Sequence, residues 1–345
     1  MKYYKLSAIS DPKSTDGGRP LRGALIGCGF FGRIQNEAWL RTPGVEIVAA
    51  CDPVLDRARA VSPAAFADAR EMLRSTDLDF VDIATRPDSH LDLLRLAADY
   101  RLPAICQKPL AGSLEDGRAI AALVASSGVP VMVHENWRWQ PWYRESRRLI
   151  ADGAIGRPIC YHFRIRQRDG LGEAPYPNQP YFREMPRLLI LETLVHPIDT
   201  ARYFFGDVGS IHARTRRLNP LIQGEDRAVL TLRHVSGVDG VIDGHRFLDP
   251  DPPGPAMGDA ILEGDAGHLR ISAPGEIFLN GASVFNPPSL AGYKGDSARA
   301  VQMHFLECLR RGSEMESSVA NYWNTFAAVE AAYRSASTQS EAAVE

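Results

Sequence analysis

The sequence lacks the features that mark several classes of protein. Among its 345 residues, no apolar run approaches the ~20 residues of a membrane span. The formal net charge at pH 7 is −3, so the chain has neither the basic field that nucleic-acid binding needs nor an acidic tail. Residues 1–20 lack the continuous apolar centre of a secretory signal. We therefore expect neither a nucleic-acid partner nor a membrane partner.

Cysteines are few and scattered. They show neither the paired spacing of a zinc site nor a short disulfide framework. Reduced thiols in the cytoplasm are the simplest interpretation, and no metal is expected. The sequence also has no internal repeat and no low-complexity tract. The five cysteines are Cys28, Cys51, Cys106, Cys160 and Cys308.

The first third of the chain alternates strand-like and helix-like segments. Apolar runs such as "GALIG", "EIVAACD", "DLDFVDIAT", "PAICQK" and "VPVMVHE" predict buried strands. Helical patterns separate them, for example over 31–41, 89–100 and 113–127. Strands joined by helices of this length favour right-handed crossovers. The prediction is an α/β Rossmann-type, doubly wound parallel sheet over 21–136, preceded by a flexible arm over 1–20.

The pattern changes beyond residue 136. The run "RPICYHFRIRQR" alternates like a half-exposed strand, and several strand-like runs lie between 211 and 279. A Pro-rich loop over 172–182 and a long helix through "LLILETLVHPIDTARYFFG" come between them. Grouped strands predict an α+β domain over 137–345 with an open, mostly antiparallel sheet.

A glycine pattern stands between the first predicted strand and helix. It reads Gly27-x-Gly29-x-x-Gly32, and Asp52 ends the second strand about 20 residues later. This context is typical of a dinucleotide site, in which the helix N-terminus receives the pyrophosphate. An acid at Asp52 would bind ribose hydroxyls and repel a 2′-phosphate, which favours NAD over NADP. The alternative is a simple turn, with Asp52 capping the next helix.

Taken together, the motifs resemble the Gfo/Idh/MocA oxidoreductases, the family of glucose–fructose oxidoreductase and inositol dehydrogenase. The resemblance runs from about residue 22 to about residue 335. It is carried by "GCGFFG", "CD", "TRPDSH", "QKPLA", "NWRWQPWYRESRRLIADGAIGRP", "ETLVHPIDTARYFFG" and "LEGDAGHLRI". It implies a nicotinamide cofactor on the first domain, a sugar or polyol substrate between the domains, and a homodimer or homotetramer formed through the second domain's sheet.

Two positions depart from the family's pattern. The usual "EKP" reads Gln107-Lys108-Pro109, which replaces a carboxylate by an amide. The usual "D-x-x-x-H" has Glu192 in place of the aspartate and ends at His196. Both substitutions suggest a subfamily with its own substrate.

The resemblance also implies the site residues. Lys108 and His196 are the predicted catalytic groups, because a histidine suits a general base and a lysine can stabilise an alkoxide. Glu192, one helical turn before His196, or Asp199, three residues after it, would orient the imidazole. The predicted cofactor-binding residues are Gly27, Gly29, Phe30, Phe31, Gly32, Asp52, Thr85, Arg86, His90, Gln107 and Lys108.

Evidence for the substrate is thinner. Lys108, Glu192 and His196 are expected to contact it, with Trp139 as the candidate among three clustered tryptophans. Arg166 lies on an alternating strand, where it binds either an acid group of a substrate or another side chain. The main hypothesis is an NAD-dependent dehydrogenase that oxidises a hydroxyl of a sugar or polyol, with conversion of an aldose to its lactone as one form of that reaction. The alternatives are an NAD-dependent sugar eliminase or glycosidase, and a non-catalytic NAD-binding sugar sensor.

Overall fold

A computed structural model describes residues 19–289 and 291–345. The arm predicted over 1–20 therefore lies outside the described residues up to position 18. The described part of the chain forms two sheets, one of six strands and one of nine. No helix in that part has both the length and the apolarity to cross a membrane.

The first sheet is parallel throughout, as predicted, with its strands in the order β3-β2-β1-β4-β5-β6. This is the doubly wound arrangement, in which the first strand lies at the centre of the sheet. Its strands are β1 (Leu21–Ile26), β2 (Val45–Cys51), β3 (Ala65–Phe66), β4 (Phe80–Ile83), β5 (Ala104–Gln107) and β6 (Val131–His134). Its helices are α1 (Phe30–Leu40), α2 (Leu55–Arg59), α3 (Ala69–Ser75), α4 (His90–Asp99) and α5 (Leu114–Ser127).

Sequence patterns found most of these elements but missed β3 and α3. The strand is only two residues long, too short to display a period. The seven-residue α3 begins at an N-cap, where the Asp68 side chain accepts a hydrogen bond from the Glu71 amide. A similar cap at Ser113, which accepts from the Asp116 amide, starts α5 as the sequence indicated.

The second sheet is mostly antiparallel, and among its strand pairs in the described residues only β7–β10 is parallel. The strand order is β14-β13-β12-β11-β7-β10-β9-β8-β15. Its strands are β7 (Pro158–Arg166), β8 (Val208–Arg216), β9 (Arg227–His234), β10 (Asp239–His245), β11 (Gly258–Gly264), β12 (Gly267–Ile271), β13 (Ile277–Leu279), β14 (Ala282–Phe285) and β15 (Ala342–Ala343). The helices after the first sheet are α6 (Pro141–Ala151), α7 (Val195–Phe205), α8 (Ser297–Arg311) and α9 (Val319–Thr338).

Helices cover one face of the second sheet. Along β7, Tyr161, Phe163 and Ile165 are buried, while the residues between them are more exposed. The Tyr161 ring stacks on Phe205 of α7 with centroids 5.1 Å apart, which fixes the helix against this face. Side chains that alternate with these three therefore point to the opposite, open face.

The long helix predicted through "LLILETLVHPIDTARYFFG" has two parts. Leu189–Leu194 is π-helical, and α7 follows it directly. Such π-helical turns are rare and occur frequently at functional sites. Glu192 lies in the π-helical turn and His196 lies in the first turn of α7.

Candidate active site

The glycine loop has the geometry of a tight strand-to-helix turn. Gly27 has φ +94°, and a Cβ there would approach the Ala84 backbone at 2.8 Å. A Cβ at Gly32 would lie 2.0 Å from the Gly27 carbonyl oxygen, so any side chain would push α1 away from β1. Glycine is therefore required at both positions by backbone conformation and by close packing.

The loop also leaves room for a phosphate. A Cβ built on Gly29 would meet no atom within 4 Å. Gly29 is the N-cap of the eleven-residue α1, whose first turn has no capping side chain and no acidic residue. The first amides of the helix therefore keep their hydrogen-bonding capacity for an anion. Phe30 and Phe31 open this helix, and these features fit the pyrophosphate of NAD.

Asp52 ends β2 beside the glycine loop, as the motif requires. One carboxylate oxygen accepts from the Cys28 amide at 2.9 Å, and the other accepts from the Val54 amide at 2.8 Å. The carboxylate has further lone pairs for ribose hydroxyls. Arg57, which is more than half exposed, is 4.0 Å from it. Asp52 thus holds the glycine loop in place.

The loop after β4 carries Thr85, Arg86 and His90. Thr85 borders the glycine loop, since its Cγ2 would lie 2.8 Å from a Cβ at Gly27. The Arg86 guanidinium lies 4.7 Å from the ring centroid of Tyr181, in the Pro-rich loop. His90 is fully buried, with its ring nitrogens 3.2 Å from the Leu110 carbonyl and 3.3 Å from the Thr85 carbonyl. It ties the two loops together through these contacts, and its predicted role in cofactor binding stays a prediction.

Both ends of the Gln107 side-chain amide bind protein groups, and its predicted role in cofactor binding stays a prediction. Its amide nitrogen donates to the Gln35 side-chain oxygen at 3.1 Å, and its oxygen accepts from the Lys108 amide at 2.8 Å. Gln35 in turn donates to the buried carboxylate of Asp82 at 2.7 Å, and Trp39 donates to it at 2.6 Å. The amide at 107 suits this chain because a carboxylate could not donate to Gln35.

Lys108 and Glu192 form a buried ion pair. The Lys108 ammonium donates to both the Glu192 backbone carbonyl and Glu192 Oε1, each at 2.6 Å. Burial by itself raises the pKa of Glu192, but the charges of Lys108 and Arg246 hold that pKa below its ordinary value. An ammonium has three N–H donors, so one remains for an incoming oxygen.

The π-helical turn explains why the Glu192 backbone carbonyl is free to accept a hydrogen bond from Lys108. In an i→i−5 pattern the Glu192 carbonyl would pair with the amide at position 197 (197 − 192 = 5). Position 197 is a proline, which has no N–H to donate. The lysine supplies the missing donor.

His196 is held by Glu135, which the sequence reasoning missed. His196 Nδ1 lies 2.6 Å from Glu135 Oε1, and the Trp137 ring stacks on the imidazole at 4.7 Å with planes 3° apart. Glu135 also accepts from the Trp137 amide at 3.0 Å. The rule that ligands bind at the carboxyl ends of parallel strands, applied to β6, would have identified Glu135.

Both members of this pair have altered acidity. Burial, assisted by the charge of Asp199, raises the pKa of Glu135 to about 8. Burial and the nearby charge of Lys108 lower the pKa of His196 well below its ordinary value. The imidazole is therefore neutral near pH 7, with Nε2 free of protein partners among the described residues.

Asp199 does not orient His196, and neither does Glu192. Both oxygens of the Asp199 carboxylate accept from the guanidinium of Arg138, at 2.8 and 2.6 Å, and Thr325 donates to it at 2.8 Å. The spacing along the helix suggested a contact, but the side chain reaches Arg138 on the segment after β6 instead.

Two predicted substrate residues lie elsewhere. Trp139 packs against His304, with ring centroids 4.7 Å apart, and under the guanidinium of Arg144 at 4.2 Å. Arg166 lies on the open face of the second sheet and donates to Asp243 at 2.7 Å. That these two residues contact substrate stays a prediction. Trp137 is the tryptophan that lies against His196, and no cluster of potential metal ligands exists among the described residues.

Comparison with known proteins agrees with this geometry. Residues 21–135 match the oxidoreductase family with an NAD-binding Rossmann fold, and residues 143–267 match the GFO/IDH/MocA C-terminal domain. D-apiose dehydrogenase of Paraburkholderia graminis is 39% identical over 91% of this chain and 87% of that protein. D-apiose dehydrogenase of Rhizobium rhizogenes is 36% identical over 92% of this chain and 95% of that protein.

The fold is also similar to solved structures. An oxidoreductase from Agrobacterium radiobacter, in complex with NAD+, L-tartaric acid and magnesium, is 34% identical with a TM-score of 0.87. The match covers 94% of this chain and 98% of that chain.

Proposed function

The chain belongs to the Gfo/Idh/MocA oxidoreductase family, and from that premise we propose that it is an NAD-dependent dehydrogenase that oxidises an aldose to its lactone. The observation that carries the proposal is the convergence of Lys108 and His196 near the carboxyl ends of β5 and β6. Each is held by its own carboxylate, Glu192 and Glu135 respectively. A sensor that only binds NAD and sugar would need neither arrangement.

Residues of the first sheet hold the cofactor. The amides that follow Gly29 bind the pyrophosphate, and the Asp52 carboxylate binds the ribose hydroxyls. When bound, the nicotinamide supplies the hydride acceptor. The remaining chemistry is to position the substrate carbon and to take up the hydroxyl proton, and both tasks fall to this chain's side chains.

Lys108 binds the reacting hydroxyl. Two of its N–H donors are fixed on Glu192, so the third has a defined direction. The positive charge stabilises the negative charge that develops on the substrate oxygen. Because the Lys108 ammonium is buried and paired, the groups around it need little reorganisation during the reaction.

His196 accepts the hydroxyl proton at Nε2. For this to happen Nδ1 must carry the other proton and donate it to an ionised Glu135, 2.6 Å away. The stacked Trp137 ring keeps the imidazole in one plane. His196 takes the hydroxyl proton, and bound NAD would supply the hydride acceptor that leaves a carbonyl as product.

D-apiose is the substrate class we propose, because two relatives named D-apiose dehydrogenase match almost the whole chain. The test is NADH formation by the purified protein with D-apiose, with other aldoses and with myo-inositol, each with NAD and NADP. Accumulation of NADH together with a lactone product supports the proposal. No reaction with any aldose overturns it.

The catalytic assignment has its own test. Lys108→Met should reduce kcat/KM by roughly 10²–10⁴-fold, since a charge that stabilises the transition state is lost. Arg74→Met, on the exposed side of α3, is the matched control and should leave the rate unchanged. Full activity of Lys108→Met would contradict the role given to Lys108.

We also propose that the open face of the nine-stranded sheet joins two copies of the chain in the cytoplasm. Ile261 is exposed there, on β11 opposite His162 of β7. The five cysteines are free thiols, in keeping with a reducing compartment. Ile261→Arg should shift the mass measured by light scattering to that of a monomer, whereas an unchanged mass contradicts this interface.

A further inference from the structure

Lys294 is a buried amine that the reaction described above does not use. Its Nζ is inaccessible to solvent and has no hydrogen-bond partner in the described residues, although the residue as a whole is partly exposed. An amine buried without a partner is costly to the folded state. An amine of this kind at the edge of a catalytic site indicates that a bound ligand provides the missing hydrogen-bond acceptor.

The position of Nζ places it beside the catalytic pair. It lies 5.1 Å from the ring centroid of Trp137, the same ring that stacks on His196. Its positive charge contributes to lowering the pKa of His196. The amine of Lys294 and the imidazole of His196 therefore both lie against Trp137, at the edge of the proposed site.

The loop that carries Lys294 is fixed from both sides. Asp296 forms an ion pair with Arg41, the residue that follows α1, at 2.6 and 2.9 Å. Tyr293 packs edge-on against Phe31, with ring centroids 5.4 Å apart. Lys294 itself has φ +45°, a left-handed backbone conformation that is unfavourable for residues other than glycine. The loop thus holds the amine in place at some conformational cost.

Neighbouring charges leave Lys294 without a carboxylate of its own. The Glu192 carboxylate is bound by Lys108 at 2.6 Å and approached by Arg246 at 3.6 Å. Asp169 is bound by Arg246 at 2.6 and 2.5 Å. Burial, together with the positive charges of Arg246 and Lys108, lowers the pKa of Lys294 to about 7.

We propose that Lys294 binds an oxygen atom of the sugar substrate and thereby helps to determine which sugar the enzyme accepts. Lys108 binds the reacting hydroxyl, and Lys294 donates to a second oxygen of the same molecule. Two donors at fixed positions select the orientation of a sugar ring more strictly than one. This inference rests on the proposed dehydrogenase function and adds a specificity residue to the same site.

The test compares Lys294→Met with the wild type and with Arg74→Met. Methionine keeps an unbranched stem beside Trp137 but removes the donor. Loss of a charge-assisted hydrogen bond should raise KM for D-apiose roughly tenfold to hundredfold, and KM for NAD should stay unchanged. The melting temperature should stay equal or rise, because an unpartnered buried amine has been removed.

A structural role would give a different result. If Lys294 served mainly to pack against Trp137, Lys294→Met would lower the melting temperature and raise both KM values together, and the proposal would be overturned. Unchanged KM for D-apiose would overturn it as well. Lys294→Arg, which keeps the donors, should recover part of the affinity.

A binding measurement separates this inference from the proposed function. D-apiose is titrated calorimetrically into the enzyme–NADH complex, in which no hydride can be accepted. Weaker binding to Lys294→Met than to wild type supports the role of Lys294, and equal binding or no binding to either protein overturns it. Failure of wild type to reduce NAD with any aldose overturns the proposed function, whatever the titration shows.

Discussion

Glu135 Oε1 lies 2.6 Å from His196 Nδ1, and this contact joins the end of the last parallel strand to the first turn of α7. It decides which imidazole nitrogen faces the substrate space. A carboxylate on Nδ1 leaves Nε2 as the proton acceptor, so the chemistry proposed for His196 depends on a residue 61 positions away in the chain.

Replacing Glu135 by glutamine should reduce kcat strongly. The amide can offer either its oxygen or its N–H to Nδ1, and the second arrangement places the imidazole proton on Nε2, where it blocks proton uptake. We expect a fall in kcat of roughly 10²-fold, within the range for general bases, with little change in KM for NAD.

Asp199→Asn is the matched control, because Asp199 lies near the same histidine but binds Arg138. It should lower the melting temperature and move the rise of kcat to lower pH, because the Asp199 charge helps to raise the pKa of Glu135, but it should keep the rise itself. Equal kinetic effects of the two substitutions would contradict the assignment of Glu135.

The rate should depend on pH through the Glu135–His196 pair. Burial raises the pKa of Glu135 to about 8. Below that pH Glu135 and His196 together hold one extra proton, and Nε2 of His196 cannot then accept the proton of the substrate. Loss of this proton activates the enzyme, and kcat should therefore rise about tenfold per pH unit below about pH 8 and level off above it.

The measurement is kcat at saturating D-apiose and NAD across this pH range. Glu135→Gln, which cannot ionise at position 135, should lose the rise. A wild-type rate that falls as pH increases towards 8 would show that the protonated pair is the active form.

Asp52→Asn should weaken cofactor binding. The carboxylate accepts from the amides of Cys28 and Val54, and an asparagine has only one acceptor oxygen for these two donors. We expect KM for NAD to rise roughly tenfold, with a smaller preference for NAD over NADP, since the repulsion of a 2′-phosphate is also removed.

Arg57→Ala serves as the control for this substitution. Arg57 is exposed and 4.0 Å from Asp52, so its removal should change KM for NAD much less. Steady-state kinetics with both cofactors measure the two effects. A preference for NADP already present in wild type would refute the ribose assignment of Asp52.

Gln107→Glu, which restores the residue usual in related proteins, should destabilise this chain. Gln35 must present its N–H to Asp82, so its oxygen needs a donor, and Gln107 supplies it. An ionised glutamate leaves that oxygen unpaired and adds negative charge near the buried Asp82. We expect a loss of about 1–3 kcal/mol in the free energy of unfolding, measured by chemical denaturation. Unchanged stability would mean that Gln35 can reorient without cost.

Local patterns were sufficient for much of the fold. The glycine motif, the strand–helix alternation and the cap at Ser113 each depend on residues close together in the chain, and each was predicted. The division into domains at residue 136 and the catalytic roles of Lys108 and His196 stay predictions. Short elements such as β3 were missed because two residues carry no periodicity.

The sequence by itself determined the parallel sheet, the glycine loop for a dinucleotide and the sequence motifs of an oxidoreductase. The sheet follows from the periodicity of hydrophobic residues, and the loop follows from glycines that its local backbone conformation requires. Only the tertiary structure decided the partners: Glu135 for His196, Arg138 for Asp199, and for the amine of Lys294 aromatic rings but no hydrogen-bond partner among the described residues. Periodicity specifies which face of an element is buried, whereas the partner of a buried charge depends on how distant elements pack, and spacing along one helix does not encode that.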